Sequence, residues 1–165
     1  MSEEGFLVMK IGGLVLDPDS EVPIVVLRDE EGDNLLPIWI GPYEANAIAM
    51  AIEDIDTPRP MTHDLLTEMI HRLQAEVLRI LIVNLEESTY FATIELDQGG
   101  DVLTVDSRPS DAIAIALRTD APILVAQSVL KTAQGGDSTP KLTDEEKLKK
   151  WLEEVNPEDL GKYEM

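Results

Sequence analysis

The chain contains no cysteine, which excludes a disulfide scaffold, a zinc–thiolate site and a thiol nucleophile together. Aromatic residues are sparse: two Phe, three Tyr and two Trp in 165 residues. None is interleaved with basic residues, so no stacking platform for single-stranded bases is visible. Bases are scarce as well, with 13 Lys and Arg against 33 Asp and Glu, a net charge of −20. Such a chain repels polyanions at long range and attracts divalent cations or basic partners. A broad basic face for duplex binding is thereby excluded. No apolar run approaches the ~20 residues of a membrane span. The acidic start, Met1-Ser2-Glu3-Glu4, leads into no signal-like apolar core. These absences predict a cytoplasmic protein that does not engage membranes.

What is present is ordinary globular material. Hydrophobic residues make up 44% of the chain, enough for a core without a structural metal or cross-link. Composition breaks near residue 135, where Gln134-Gly135-Gly136-Asp137-Ser138-Thr139-Pro140 reads as loop. The reading is therefore a domain over 1–135 and, over 136–165, a flexible linker with an acidic C-terminal helix. That helix carries Leu148, Trp151, Leu152 and Val155 at helical spacing and is expected to dock on a partner through Trp151. Acidity is shared by both parts, with net charges of −16 and −4.

Within the domain, strand-like runs cover Phe6 to Leu16, Val22 to Leu27 and Leu35 to Ile40. Gly12-Gly13 interrupts the first of these and is read as a bulge rather than a nucleotide fingerprint. Pro42 then opens an alanine-rich helix, its missing N–H costing nothing at a first helical position. A second helix, Thr62 to Gln74, has Leu65, Leu66, Met69, Ile70 and Leu73 on one face. Val77 to Leu85 and Tyr90 to Leu96 form a hairpin, Val102 to Val105 another strand, Pro109 to Arg118 a third helix, and Pro122 to Ala126 a last strand. The fold class is α+β, a mixed β-sheet with packed helices. Its strand–turn–helix unit occurs twice: Pro109 answers to Pro42, Asp111 to Glu44, and Ala-x-Ala-Ile-Ala to itself, 67 positions apart. An internal duplication is the economical account.

Unusual polar residues gather at helix starts, in Arg59-Pro60-Met61-Thr62-His63-Asp64 and Asp106-Ser107-Arg108-Pro109-Ser110-Asp111. Helix N-termini offer free N–H groups and partial positive charge to an anion, and Arg59 and Arg108 would add guanidinium forks. Thr62 and Ser110 could bind substrate or simply cap a helix, and Asp64 could simply complement the helix dipole. His63 is one of only two histidines and the natural proton-transfer group near neutral pH. Glu44, Asp64, Asp106 and Asp111 are the carboxylates that could hold Mg²⁺ or Mn²⁺. The cluster Glu53, Asp54 and Asp56 reads as a solvated turn, and His71 as a surface residue.

Three ordered segments carry a family resemblance: Leu36-Pro37-Ile38-Trp39-Ile40-Gly41 running into Glu44-Ala45, then Arg59 to Leu66, then Asp106 to Ala114. Over roughly residues 6–130 the chain resembles the bifunctional nuclease domain family, and looks most like its bacterial members. The resemblance implies an α+β mixed sheet, a tendency to form homodimers, and degradation of RNA and DNA. The expected function is metal-assisted phosphodiester hydrolysis of RNA or single-stranded DNA. His63, Asp64 and Asp111 would act in catalysis, Arg59, Thr62, Arg108 and Ser110 in substrate binding, and Glu44, Asp64, Asp106 and Asp111 as metal ligands. The competing expectation is a non-catalytic anion-sensing adaptor whose acidic tail docks on a basic protein.

Overall fold

A computed structural model describes residues 5–135. The predicted tail helix around Trp151 lies outside the described residues. Seven strands and four helices follow one another as β1 (Phe6–Leu16), β2 (Pro23–Asp29), β3 (Leu35–Trp39), α1 (Pro42–Ile52), α2 (Thr62–Arg72), β4 (Ala75–Glu86), β5 (Thr89–Gln98), β6 (Asp101–Ser107), α3 (Pro109–Thr119), β7 (Ile123–Ala126) and α4 (Gln127–Gly135). The strands form one sheet in the order β3-β2-β1-β7-β4-β5-β6. Two antiparallel meanders flank β7, which is antiparallel to β1 and parallel to β4. This is the α+β mixed sheet that the alternation predicted. Each meander ends in a helix opened by proline, and α1 and α3 begin and end 67 positions apart.

Alternation along β2 shows how the sheet sorts its side chains. Val25 and Leu27 face the main core with Leu36 and Ile38 of β3, while Ile24 and Val26 face a smaller cluster with Val15 and Leu35. The β1–β2 register shifts between Ile11 and Gly13, the predicted bulge. Helices α1 and α3 pack against each other on the main-core face. Their contact is close because Ala45, Ala49, Ala112, Ala114 and Ala116 are all but inaccessible to solvent and present nothing larger than a methyl group. At the sheet edge, β3 carries Pro37, which offers no N–H to a further strand. Its Trp39 indole N–H donates to Asp17 Oδ2 at 2.9 Å.

One expectation needs correction. The segment read as loop from Gln134 onward begins too early: Gln134 and Gly135 close α4, and the Gln134 amide donates to Asn34 Oδ1 at 3.3 Å. The apolar stripe of α2 does not enter the core. The buried residues of α2 are His63 and Thr67, whereas Leu65, Leu66, Met69 and Leu73 are exposed. The helix packs through its polar side because His63 and Asp64 find partners on α3.

Candidate functional site

The two proline-opened helices bring their N-termini side by side, and Arg108, the last residue before α3, spans them. Its Nε and Nη2 reach Asp111 Oδ2 at 2.9 and 2.8 Å, and its Nη1 reaches Glu44 Oε1 at 3.4 Å. Glu44 curls back over the start of α1, where a Cβ on Gly41 would collide with its carboxylate. The other oxygen of Asp111 lies 2.8 Å from His63 Nε2. A chain of contacts thus runs Glu44–Arg108–Asp111–His63 across three helix N-termini. Arg108 is its open member, with 65% of its side chain exposed, and His63 its closed one, at 8%. The hydrogen bond and charge of Asp111, reinforced by Glu44, hold the Arg108 guanidinium proton more firmly than usual.

Behind this chain lies a second ion pair, between Asp64 Oδ1 and Arg118 Nε at 2.7 Å. Arg118 also donates to the carbonyls of Ala114 at 2.9 Å and Ala47 at 3.0 Å. One guanidinium therefore ties α1, α2 and α3 together. The other Asp64 oxygen accepts the Met61 backbone N–H at 3.0 Å. Burial acts to raise the Asp64 pKa, but Arg118 and the Met61 N–H outweigh it and hold the carboxyl below its ordinary value.

The predicted site residues divide accordingly. Glu44, His63, Arg108 and Asp111 converge, and Asp64 braces them from behind. Arg59 and Thr62 are exposed, and neither is bonded to the converging group. The position before the helix belongs to Met61, so Thr62 is already the first helical residue rather than its cap. Ser110 is buried at the start of α3. Asp106 pairs across the sheet with Thr93, on the face opposite to Ile94 and the helices. Sequence reasoning missed Arg118. A cation in the last turn of a helix is read as a dipole partner, and nothing local announces a carboxylate 54 positions away.

The donor set does not fit a shared divalent cation. Asp64 is engaged by Arg118 and the Met61 N–H, Glu44 and Asp111 share a guanidinium, and Asp106 lies on the other face. Among the described residues no group of three His, Asp or Glu side chains could hold a metal ion. Glu53, Asp54 and Asp56 are exposed. A hollow of about 660 Å³ opens at His71, Gln74 and Glu76, and another of about 480 Å³ at Glu86, Glu87 and Phe91; neither borders Arg108. No described helix is long and apolar enough to cross a membrane.

Comparison with known proteins adds the following. A family model described as the bifunctional nuclease domain matches residues 25–136. An uncharacterised protein of Mycobacterium tuberculosis (strain ATCC 25618 / H37Rv) is 38% identical over 163 residues, 92% of this chain and 96% of its own length. "Bifunctional nuclease 2" of Oryza sativa subsp. japonica is 36% identical over 65% of this chain, and "Bifunctional nuclease 1" of Arabidopsis thaliana is 32% identical over 62%. The chain spans about a third of the length of these plant relatives, 34% and 33%.

Proposed function

Because the chain belongs to the bifunctional nuclease domain family, we propose that it hydrolyses phosphodiester bonds of RNA or single-stranded DNA at the Arg108–Asp111–His63 group. The observation that carries this reading is the unbroken chain of contacts from an exposed guanidinium to an imidazole held by a carboxylate. Arg108 contacts the phosphate and offsets charge that develops on its non-bridging oxygens. Asp111 accepts a hydrogen bond from His63 Nε2–H and so fixes the tautomer that leaves Nδ1 free to act as base. A water oxygen attacks phosphorus while its proton passes to Nδ1. The bond to the leaving oxygen breaks, and that oxygen takes a proton from the imidazolium. No step passes through a metal, since the carboxylates are engaged elsewhere.

A second reading, anion binding without turnover, is favoured by the near-complete burial of His63 beside an open Arg108. The two separate in one experiment: turnover of fluorogenic single-stranded RNA and DNA by the full chain, with and without EDTA, beside His63→Gln and Asp111→Asn. The hydrolase reading expects EDTA-resistant cleavage that falls about 100-fold or more in both variants. Cleavage equal in wild type and variants sinks it. Absent cleavage, with phosphate binding that is lost in Arg108→Met, establishes the anion-binding reading instead. Cleavage abolished by EDTA overturns the metal-free mechanism.

A further inference from the structure

All four helices lie on one face of the sheet. Residues of α1, α3 and α4 enter the main core, and α2 is bonded to α3. Part of the opposite face is nevertheless shut off from water. Leu81 and Leu124, paired across β4 and β7, point away from the core residues Ile80, Ile82, Ile123 and Val125. They are only 1% and 2% exposed. Ile24 and Val26, on the same face with Val15 and Leu35, are 2% and 0% exposed. The seal ends at Val8, the β1 neighbour of Leu124, which is 42% exposed. A sheet face that meets water leaves its side chains partly open, and an apolar one is closed by a further layer. Among the described residues no such layer exists. Every strand pair in close contact is a pair of sheet neighbours, and the helices are on the other side.

We propose that the chain's own C-terminal segment closes this face, a helix over residues 143–155 laying Leu148, Trp151, Leu152 and Val155 on the sheet. This cover is independent of the hydrolase reading. Helix α4 closes at Gly135, and the Gln134 amide just before its end donates to Asn34, the residue preceding Leu35 of the sealed face. The segment therefore leaves the domain at the margin of the surface it would cover. From β3 to β4 is four strand spacings, about 19 Å. The seven residues 136–142 reach about 24 Å when extended. A helix over 143–155 is itself about 20 Å long, enough to lie across the same strands. Residues 1–4 are too few to form a layer. Charge fits as well. Lys10 and Arg28 stand directly opposite each other on β1 and β2, and like charges so placed repel. Neither is paired with a carboxylate among the described residues, and the Arg28 Nε is buried without a hydrogen-bond partner there. A segment of net charge −4 brings acids to this pair, whereas a basic partner protein would bring more of the same charge.

The test uses the full chain with Trp39→Phe, which leaves Trp151 as the sole indole. The lack of cysteine lets a nitroxide be placed at Val8→Cys, beside the sealed face, or at Met69→Cys on the helix side. Both positions are exposed, and circular dichroism checks that each variant is folded. The expected result is Trp151 emission that is severalfold less quenched by acrylamide than in the urea-unfolded chain. The nitroxide at position 8 should quench it strongly and the one at position 69 should not, at every protein concentration. Hydrogen exchange of the unaltered chain gives a second measurement, with amides of 148–155 protected. Trp151 as open to acrylamide as in urea, or equal quenching from both nitroxides, overturns the proposal. So do unprotected amides, and so does shielding that vanishes on dilution, which would make a second copy the occupant.

Discussion

Arg118→Met removes the guanidinium that joins three helices while keeping an unbranched apolar stem. The side chain is 11% exposed and makes three charge-assisted contacts. The Ala47 and Ala114 carbonyls lie in helix interiors and keep their helical N–H donors, so neither is orphaned. Each lost bond then costs about 1 kcal/mol, the ordinary net worth of an intramolecular hydrogen bond. The Asp64 carboxylate is 37% exposed, so solvent screening holds its share to about 1 kcal/mol as well. The total is about 3 kcal/mol, equivalent to a fall in Tm of about 10 °C for a domain of this size. Urea and thermal unfolding of the full chain would measure it, with Asp64→Asn and the double variant completing a cycle. The expected coupling between the two positions is about 1 kcal/mol. A loss below about 1 kcal/mol in Arg118→Met would refute the idea that this residue ties the helix layer together.

Acid should reveal the same pair. The Asp64 carboxyl sits below its ordinary value in the folded state, so its stabilisation is complete above the unfolded pKa of ~3.9 and is lost as pH falls through the folded one. Asp64→Asn should therefore unfold with a shallower dependence on pH below 4 than wild type, read by fluorescence in mild urea. Gly41→Ala should displace Glu44 from the start of α1, costing about 1 kcal/mol and freeing Arg108 on one side. Nuclear magnetic resonance of the arginine side chains would register the change. Ala114→Leu, at a position with no accessible surface between packed helices, should cost 2 kcal/mol or more through overpacking, about 7 °C in Tm.

Much of the fold was legible because its signals are local. Pro42 and Pro109 marked two helix starts, strand-like runs marked the strands, and the Gly12-Gly13 pair marked a bulge. Helix α4 was lost because Gln134, Gly135 and Gly136 carry loop composition, while its anchors, Val129 and Leu130, are buried against the sheet by tertiary packing. The stripe on α2 was legible as a stripe, but not which surface it faces. Periodicity reports that a helix has an apolar side, not what that side meets. The candidate site was half legible for the same reason. Glu44, His63, Arg108 and Asp111 stood out as chemistry at helix starts, but composition could not show that Arg108 would lie between the two carboxylates. Arg118 gave no signal at all, since its partners are far away along the chain.

The proline in β3 acquires a consequence once β6 is considered beside it. A sheet with two reactive edges can add units without limit, and that is how fibres grow. Here Pro37 withholds a donor at one edge, so only the other can accept a neighbour. Pairing at both edges is the route to open-ended growth, and Pro37 interrupts the donor row on one of them. Pro37→Val would restore the missing donor.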